Sequence, residues 1–228
     1  ILGIAFHADL TVALACVQAG WQMYPGQNYA GETVAVLIGI DPEFFASDED
    51  VCITYDRRDI PELLPERKAD SHKGSYGKVL MITGSSGMAG AAYLSARAAY
   101  AVGAGLVQIY TAEENRAVLQ QLLPEAIISC YQGYDEDELA RLLDWADVVC
   151  IGCGLGTGET SGRILEGTLR KVNVPCIIDA DGLNLLSRKM DLLEAMHSPV
   201  ILTPHMKEMS RLTGYPISGL SDRRLEII

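Results

Sequence analysis

The sequence predicts an α/β protein whose mostly parallel sheet carries helices on both faces. From Lys78 onward, short apolar runs of strand length alternate with longer helical segments, which is typical of parallel strands joined by crossover helices. Several runs are continuously apolar, as expected of strands that are buried on both faces. Glycine or acidic clusters follow directly after these runs, where open α/β sheets bind ligands.

The segment Lys78–Thr111 shows this order most clearly. Val79–Ile82 is an apolar strand, and the turn Gly84-Ser85-Ser86-Gly87 interrupts it. Met88–Val102 is rich in alanine, which favours a helix, and Leu106–Tyr110 is the next strand. Either serine of the turn can cap the helix that follows.

The glycine turn allows two interpretations. Free N–H groups and the helix dipole at a helix N-terminus suit an anion, but a scaffold turn that packs a helix tightly on a sheet also needs small residues. The glycines at 84, 87 and 90 are spaced G-x-x-G-x-x-G. Because dinucleotide folds use G-x-G-x-x-G, a Rossmann oxidoreductase is disfavoured.

The alternation of strands and helices continues to the end of the chain. The predicted strands are Ala126–Cys130, Asp147–Gly152, Val174–Asp179 and Pro199–Thr203. The predicted helices are Ala117–Leu123, Asp135–Trp145, Ser161–Lys171, Leu183–Leu193, Met206–Thr213 and a last helix that starts at Ser221.

The first 45 residues predict only part of a domain. Asp9–Ala15 and Thr33–Ile40 are apolar runs, and Tyr24–Gly31 is predicted to be a loop. Two short strands and a loop cannot bury a core of their own, so we expect this region to complete a larger domain. A linker is predicted at about residues 41–50, and the charge runs up to Lys73 are interpreted as a solvated face.

Composition excludes several classes of partner. The chain has 228 residues and a net charge of −12 from 18 basic and 30 acidic side chains. Acidic proteins without a basic cluster bind nucleic acid and anionic membranes poorly, and no apolar run reaches the length of a membrane span. We therefore expect neither nucleic acid nor a membrane as a partner.

The six cysteines predict a reduced, cytoplasmic protein without a zinc site. Only Cys150 and Cys153 form a C-x-x-C pair, and a structural zinc site needs more ligands. Cys150 lies in an apolar strand, which favours a core residue over a redox or metal-binding one.

Candidate site residues follow four predicted strands. Three glycines of the segment Gly152–Gly156 let backbone lie against a ligand, an interpretation that we favour over a simple turn. Asp179 and Asp181 can cap the next helix or handle a Mg²⁺–phosphate or a sugar hydroxyl, and neither alternative is preferred. His205 follows Pro204 at a strand exit, where a structural role and a ligand contact are both open.

Several motifs together resemble the ADP/ATP-dependent NAD(P)H-hydrate dehydratases of the ribokinase-like superfamily. These motifs occur in the family's order over about residues 50–228: His72-Lys-Gly-Ser-Tyr-Gly-Lys-Val-Leu, Gly84-Ser-Ser-Gly-Met-Ala-Gly-Ala-Ala, Gly103-Ala-Gly-Leu-Val, Gly152-Cys-Gly-Leu-Gly, Asp179-Ala-Asp-Gly-Leu-Asn and Leu202-Thr-Pro-His-Met-Lys-Glu. The first 45 residues resemble the close of a partial Rossmann-like NAD(P)H-hydrate epimerase domain, in Ala8-Asp-Leu-Thr-Val, Pro25-Gly-Gln-Asn-Tyr-Ala-Gly and Ile38-Gly-Ile.

The resemblance implies a repair function. Reduced nicotinamide cofactors slowly take up water, and the dehydratase uses ADP or ATP to phosphorylate the added hydroxyl, after which loss of phosphate restores the ring. The epimerase interconverts the two hydrate epimers. The implied domains are residues 1–45, the end of the epimerase domain, and 46–228, the dehydratase domain. The implied substrate is NAD(P)HX, and we expect Mg²⁺ with the nucleotide and a homo-oligomer.

The resemblance also assigns residues. Ala91, His205 and a glycine of the Gly152–Gly156 segment would contact the hydrate, and we name both Gly154 and Gly156 because the motif does not choose between them. Asp9 would be a substrate-side residue of the epimerase part. Asp179, Asp181 and Asn184 are further polar candidates in the cleft, and the residues that bind the nucleotide are not assigned.

The chain departs from the family pattern in three places. The family's Lys-Gly strand and turn, which hold the nucleotide, do not occur before Ile228, and neither does the Gly-x-Gly-Asp segment with the catalytic Asp. Ala13 stands where the family tends to place Ser or Thr for a K⁺ ion in the epimerase part. We expect an internal segment of a bifunctional protein that does not catalyse dehydration by itself.

Two other functions remain open. A ribokinase-like kinase of a small alcohol, such as a vitamin precursor, would have the same fold and cleft. A nucleotide-binding module without catalysis is the second alternative. A substrate screen that follows nucleotide consumption separates the kinase from the dehydratase, and tight nucleotide binding without turnover in the full-length protein would indicate the module.

Overall fold

The computed structural model describes residues 4–41, 44, 52, 54–55, 57–64, 66–222 and 227. The chain divides into two compact units, Ile1–Arg67 and Lys68–Ile228, which we describe separately. The predicted division at residues 45–46 concerns family domains and stays a prediction. Most of the predicted linker at 41–50 lies outside the described residues.

The smaller unit contains a two-stranded parallel sheet. Strands β1 (Leu10–Leu14) and β2 (Glu32–Val36) pair from Leu10 opposite Glu32 to Leu14 opposite Val36. The predicted strand Thr33–Ile40 was too long, because β1 offers no partner beyond Leu14. The predicted loop also contains a short helix. Among the described residues of this unit, helices span Ala19–Gln22, Gln27–Ala30 and Ile60–Leu63.

The larger unit is built on a parallel sheet of six strands in the order β5-β4-β3-β6-β7-β8. The strands are β3 Lys78–Ile82, β4 Leu106–Ala112, β5 Ile127–Tyr131, β6 Val148–Ile151, β7 Cys176–Ile178 and β8 Val200–Leu202. The helices are Ala89–Ala101, Arg116–Leu122, Glu136–Trp145, Glu159–Lys171, Asp181–Leu186, Asp191–Glu194, Met206–Thr213 and Ile217–Asp222, with 3₁₀ turns at Lys73–Tyr76 and Glu113–Asn115.

Apolar side chains cover both faces of this sheet, as predicted. Successive residues of a strand point to opposite faces, so Leu80 and Ile82 belong to one buried cluster and Met81 to another. The first cluster includes Leu139 and Leu165 of the helices Glu136–Trp145 and Glu159–Lys171. The second includes Ala92, Ala96 and Leu119 of the helices Ala89–Ala101 and Arg116–Leu122.

Two predicted helix boundaries are wrong. The segment Leu183–Leu193 is two helices, Asp181–Leu186 and Asp191–Glu194, because the polar run Ser187-Arg188-Lys189 between them offers no apolar face to the core. The last helix starts at Ile217 instead of Ser221, directly after Pro216, which suits the beginning of a helix. Over the described part of the chain, none of the helices has both the length and the apolar character needed to cross a bilayer.

Candidate active site

Four strands that are neighbours in the sheet place their carboxyl ends side by side. These strands are β3, β6, β7 and β8, and all of them run parallel. The segments that follow them are Gly84-Ser85, Gly152–Gly156, Asp179–Asp181 and Thr203–His205. The order of the strands therefore brings the four candidate clusters to one edge of the sheet.

Hydrogen bonds join the turn after β3 to the loop after β6. The N–H of Gly84 donates to the Cys153 carbonyl at 3.0 Å, and the N–H of Ser85 donates to the Gly154 carbonyl at 2.6 Å. The Ser85 hydroxyl donates to the same Gly154 carbonyl at 3.0 Å. We call residues Gly152–Gly156 the glycine loop, and these bonds fix it against the turn.

The hydrate-contact residues that the resemblance assigns to this region lie together. A methyl group on Gly154 would lie 2.6 Å from the Ala91 Cβ, and one on Gly156 would lie 3.4 Å from the Ser85 Oγ. Gly154 and Gly156 also have positive φ angles, of 63° and 77°, which favour glycine. A side chain at Gly154 would therefore collide with Ala91, whereas a side chain at Gly156 would make ordinary contacts and is disfavoured by the φ angle alone.

The predicted serine caps of helix Ala89–Ala101 are wrong. Met88 occupies the N-cap position and makes no side-chain cap bond. The Ser85 hydroxyl is already engaged with Gly154, and Ser86 is exposed. Ser85 of the turn therefore binds the glycine loop instead of capping the helix.

Asn115 is a site residue that the sequence analysis missed. Its side chain is 3% exposed, and its Nδ2 donates to the Ser85 carbonyl at 2.9 Å and the Thr111 Oγ1 at 2.9 Å. The Thr111 hydroxyl in turn donates to the Gly84 carbonyl at 2.7 Å. A polar pair at the end of β4 thus holds the turn from beneath, and an Asn just after a predicted strand was the signal available in the sequence.

Asp179 and Asp181 do not cap the following helix. Ala180 is the N-cap residue of helix Asp181–Leu186, and no side chain caps that end. Asp179 accepts hydrogen bonds from Thr203 Oγ1 at 2.9 Å and from Cys153 Sγ at 3.4 Å. Asp181 accepts one from the Gly156 N–H at 2.9 Å. The two carboxylates therefore tie neighbouring segments of the site together.

His205 caps the helix Met206–Thr213. Its Nδ1 accepts the N–H groups of Lys207 and Glu208 at 3.1 and 3.2 Å, while the Glu208 carboxylate accepts the His205 N–H at 2.9 Å. Because Nδ1 accepts, the ring proton is assigned to Nε2, which lies 3.3 Å from Glu208 Oε1. The cap fixes the ring and leaves the side chain 62% exposed, so the structural role and a ligand contact are compatible.

The described residues do not form a metal site. They contain no group of three or more His, Cys, Asp or Glu side chains that could hold an ion. The oxygens of Asp179 already accept hydrogen bonds from Thr203 and Cys153. The paired carboxylates are thus employed within the protein.

Cys153 has an environment that disfavours its thiolate. A hydrogen bond with Cys150, burial of the thiol and the neighbouring Asp179 carboxylate all raise its pKa. The thiolate is the reactive form of cysteine, so the C-x-x-C pair lacks the character of a redox site. Cys150 itself packs against the buried cluster beneath helix Ala89–Ala101, which matches the predicted core role.

We expect Cys153 and Cys176 to resist alkylation in the folded protein. Burial raises the pKa of Cys176 to about 12, whereas Cys16 is exposed. Iodoacetamide at mildly alkaline pH should therefore modify the exposed Cys16 and Cys52 first, and a rise in pH should accelerate the modification of Cys153 only well above the usual thiol range. Peptide mapping by mass spectrometry measures the order. Fast modification of Cys153 in folded protein would contradict the described environment.

Comparison with known proteins decides the family. The family model described as NAD(P)H-hydrate dehydratase matches residues 79–228, which include every element of the site. This chain belongs to the NAD(P)H-hydrate dehydratase family. The resemblance that the motifs indicated is thereby confirmed.

A curated relative is similar to this chain along its whole length. The bifunctional NAD(P)H-hydrate repair enzyme Nnr of Coxiella burnetii is 36% identical over 228 residues, which are 100% of this chain and 45% of that protein. The chain thus spans about half the length of this curated relative. The match includes the smaller unit.

Solved structures establish the ribokinase-like fold. A ribokinase-like superfamily protein of Enterococcus faecalis matches with a TM-score of 0.65 and 29% identity, over 76% of this chain and 64% of that one. The ADP/ATP-dependent NAD(P)H-hydrate dehydratase of Bacillus subtilis, co-crystallised with ATP/Mg²⁺, matches with a TM-score of 0.58 and 34% identity, over 72% and 56% of the two chains. The predicted fold of the larger unit is confirmed.

Proposed function

We propose that the protein carrying this chain repairs hydrated nicotinamide cofactors by removing water from NADHX or NADPHX with ADP or ATP. The observation that supports this most directly is the dehydratase family match over residues 79–228. That range includes the glycine loop, Ala91 and His205. The resemblance assigns these residues to contact with the hydrate.

The proposed chemistry consists of two steps. The hydroxyl oxygen of the hydrate attacks the terminal phosphorus of the nucleotide, and the P–O bond to the departing nucleotide breaks. The C–O bond of the phosphate ester then breaks as the neighbouring carbon loses a proton, which restores the ring double bond and releases phosphate. Such phosphoryl transfer depends mainly on positioning and charge stabilisation.

The chain's own residues contribute positioning. Gly154 packs against Ala91 without space for a side chain, so the hydrate would meet backbone and a methyl group at this point. The exposed Nε2–H of His205, which lies 3.3 Å from Glu208 Oε1, would be shared between that carboxylate and a polar atom of the hydrate, while Nδ1 stays bound to the helix N–H groups. We assign no catalytic acid or base to the described residues.

Mg²⁺ would reach this protein with the nucleotide. Because the described residues form no three-ligand cluster, the ion would be held largely by phosphate oxygens and water, as Mg²⁺ commonly is in nucleotide sites. The Bacillus subtilis relative was co-crystallised with ATP/Mg²⁺, which supports nucleotide use.

The smaller unit is proposed to be the end of an epimerase domain at residues 1–45. The bifunctional Coxiella burnetii relative, which matches the whole of this chain, supports this assignment. Asp9 is exposed in this unit, and its carbonyl accepts the Glu32 N–H at 3.0 Å, which leaves the carboxylate available for a substrate. K⁺ binding by the epimerase part, a homo-oligomer and a cytoplasmic location stay predictions.

The test of the function uses the full-length protein and prepared NADHX. We expect the absorbance of the dihydronicotinamide ring to recover with ADP or ATP and to stay low without a nucleotide. Omitting Mg²⁺ by chelation should slow the recovery. An absence of recovery with both nucleotides would overturn the proposal, and nucleotide consumption with a vitamin-precursor alcohol would support the small-molecule kinase instead.

A further inference from the structure

The glycine loop is anchored from two sides by different groups. On the β3 side, the turn donates hydrogen bonds to the loop carbonyls of Cys153 and Gly154. On the β7 side, the anchor is the Asp181 carboxylate, which accepts the Gly156 N–H at 2.9 Å. A hydrogen bond to an ionised acceptor is stronger than one between neutral groups. Asp181 therefore holds the Gly156 N–H, next to the Leu155 carbonyl that accepts the Ser161 hydroxyl at 2.7 Å.

The backbone before Asp181 directs its side chain towards the loop. Ala180 has φ 47° and ψ −118°, a conformation that non-glycine residues seldom adopt and that costs about 1 to 3 kcal/mol. It separates two carboxylates with different partners, because Asp179 bonds to Thr203 while Asp181 bonds to Gly156. The unusual backbone at Ala180 thus allows two carboxylates that are two residues apart to bind separate segments.

Two further residues orient the Asp181 carboxylate. Asn184 Nδ2 lies 3.5 Å from Asp181 Oδ1, at the outer limit of a hydrogen bond, so Oδ2 remains directed at Gly156. The Arg211 guanidinium donates to Asn184 Oδ1, which leaves the Asn184 amide nitrogen facing Asp181. The chain of contacts therefore extends from helix Met206–Thr213 to the glycine loop.

We propose that Asp181 is a positioning residue for the hydrate site, acting through the Gly156 N–H, with Asn184 and Arg211 orienting its carboxylate. This proposal rests on the proposed function, because the effect that we expect from Asp181 is on binding of the hydrate. Gly156 faces Ser85 across the site, and its N–H is already bonded to Asp181. Gly156 would therefore contribute to the shape of the hydrate site and would not donate a hydrogen bond to a ligand. Without the Asp181 carboxylate, the Gly156 end of the loop would be less ordered, and ordering it would weaken hydrate binding.

The experiment compares three variants of the full-length protein. Asp181→Ala removes the acceptor, and Asp181→Asn keeps an acceptor oxygen without the charge. Asp137→Ala is the matched control, because Asp137 is an exposed carboxylate in the first turn of helix Glu136–Trp145. Steady-state kinetics with NADHX and ADP gives kcat and KM, and amide hydrogen exchange reports the Gly156 N–H without any ligand.

We expect Asp181→Ala to raise the KM for the hydrate about tenfold, which is about 1.4 kcal/mol, and to accelerate exchange of the Gly156 amide. Asp181→Asn keeps an acceptor oxygen for the Gly156 N–H but turns its own amide nitrogen towards the Asn184 amide nitrogen, which is also a donor, so its KM should lie between those of wild type and Asp181→Ala. The control should match wild type. A merely structural role would lower the active fraction, and therefore kcat, while leaving KM unchanged.

Each outcome decides one claim. An unchanged hydrate KM in Asp181→Ala would overturn the positioning role. If wild type shows no turnover with either nucleotide, the proposed function fails, and hydrogen exchange alone decides the role of Asp181. Unchanged exchange of Gly156 in Asp181→Ala would then refute the anchor, and faster exchange would support it.

Discussion

Replacing Gly152 with alanine is expected to lower the free energy of unfolding of the larger unit by about 2 to 6 kcal/mol. About 1 to 3 kcal/mol comes from a strained backbone, since Gly152 has φ 125°, and about 1 to 3 kcal/mol comes from overpacking. The new Cβ would lie 1.9 Å from the Asp179 carbonyl oxygen and 2.6 Å from the Gly182 nitrogen.

The atoms around Gly152 cannot move aside easily. The Gly182 N–H donates to the Asp179 carbonyl at 2.9 Å, and the Gly152 N–H donates to the Ile82 carbonyl at 3.1 Å. A shift of any of these backbones would break a hydrogen bond between strand ends. The added methyl group would therefore destabilise the junction of β3, β6 and β7, where the candidate site lies.

Urea denaturation followed by the fluorescence of Trp145 measures this effect. Trp145 lies in the larger unit and Trp21 in the smaller, so a Trp21→Phe background restricts the signal to the unit of interest. Gly133→Ala is the matched control, because an added Cβ there meets no atom within 4 Å, and it should change stability by less than about 0.5 kcal/mol. Equal midpoints for the two variants would contradict the described packing.

The fold class was predictable because local sequence patterns indicate most of its strands and helices. Continuous apolar runs predicted the buried strands, and alternation with helices predicted parallel pairing. The helix Met206–Thr213 was predicted with its correct ends, since a strong cap and a terminal glycine define it. The ends of the predicted helix Leu183–Leu193 were not correct, because apolar residues occur on both sides of the polar run that ends the first of the two helices.

The site was predictable in its location and less so in its contacts. The glycine loop and the strand-end residues were found because parallel strands place their carboxyl ends at one edge. The contacts of Asn115 and Arg211 join segments that are 27 or more residues apart, and no local pattern encodes such a pairing. The positive φ of Ala180 was equally unreadable, because alanine ordinarily avoids that conformation.

His205 offers the sharpest functional prediction, because its two ring nitrogens have separable roles. Nδ1 accepts the helix N–H groups, and Nε2 is the proposed donor to the hydrate. Asparagine is a good N-cap residue whose side chain is too short to replace Nε2. His205→Asn should therefore keep the contribution of the helix cap to stability within about 0.5 kcal/mol while weakening hydrate binding about two- to tenfold, since a hydrogen bond between neutral groups contributes about 0.5 to 1.5 kcal/mol.

His205→Ala is the companion variant, because it removes both roles. It should lose about 1 kcal/mol of stability with the cap in addition to the same loss of affinity. Hydrate affinity by calorimetry and stability by urea denaturation distinguish the two variants. A His205→Asn protein that binds the hydrate as tightly as wild type would show that His205 is a helix cap alone, and the hydrate contact would then have to come from the glycine loop and Ala91.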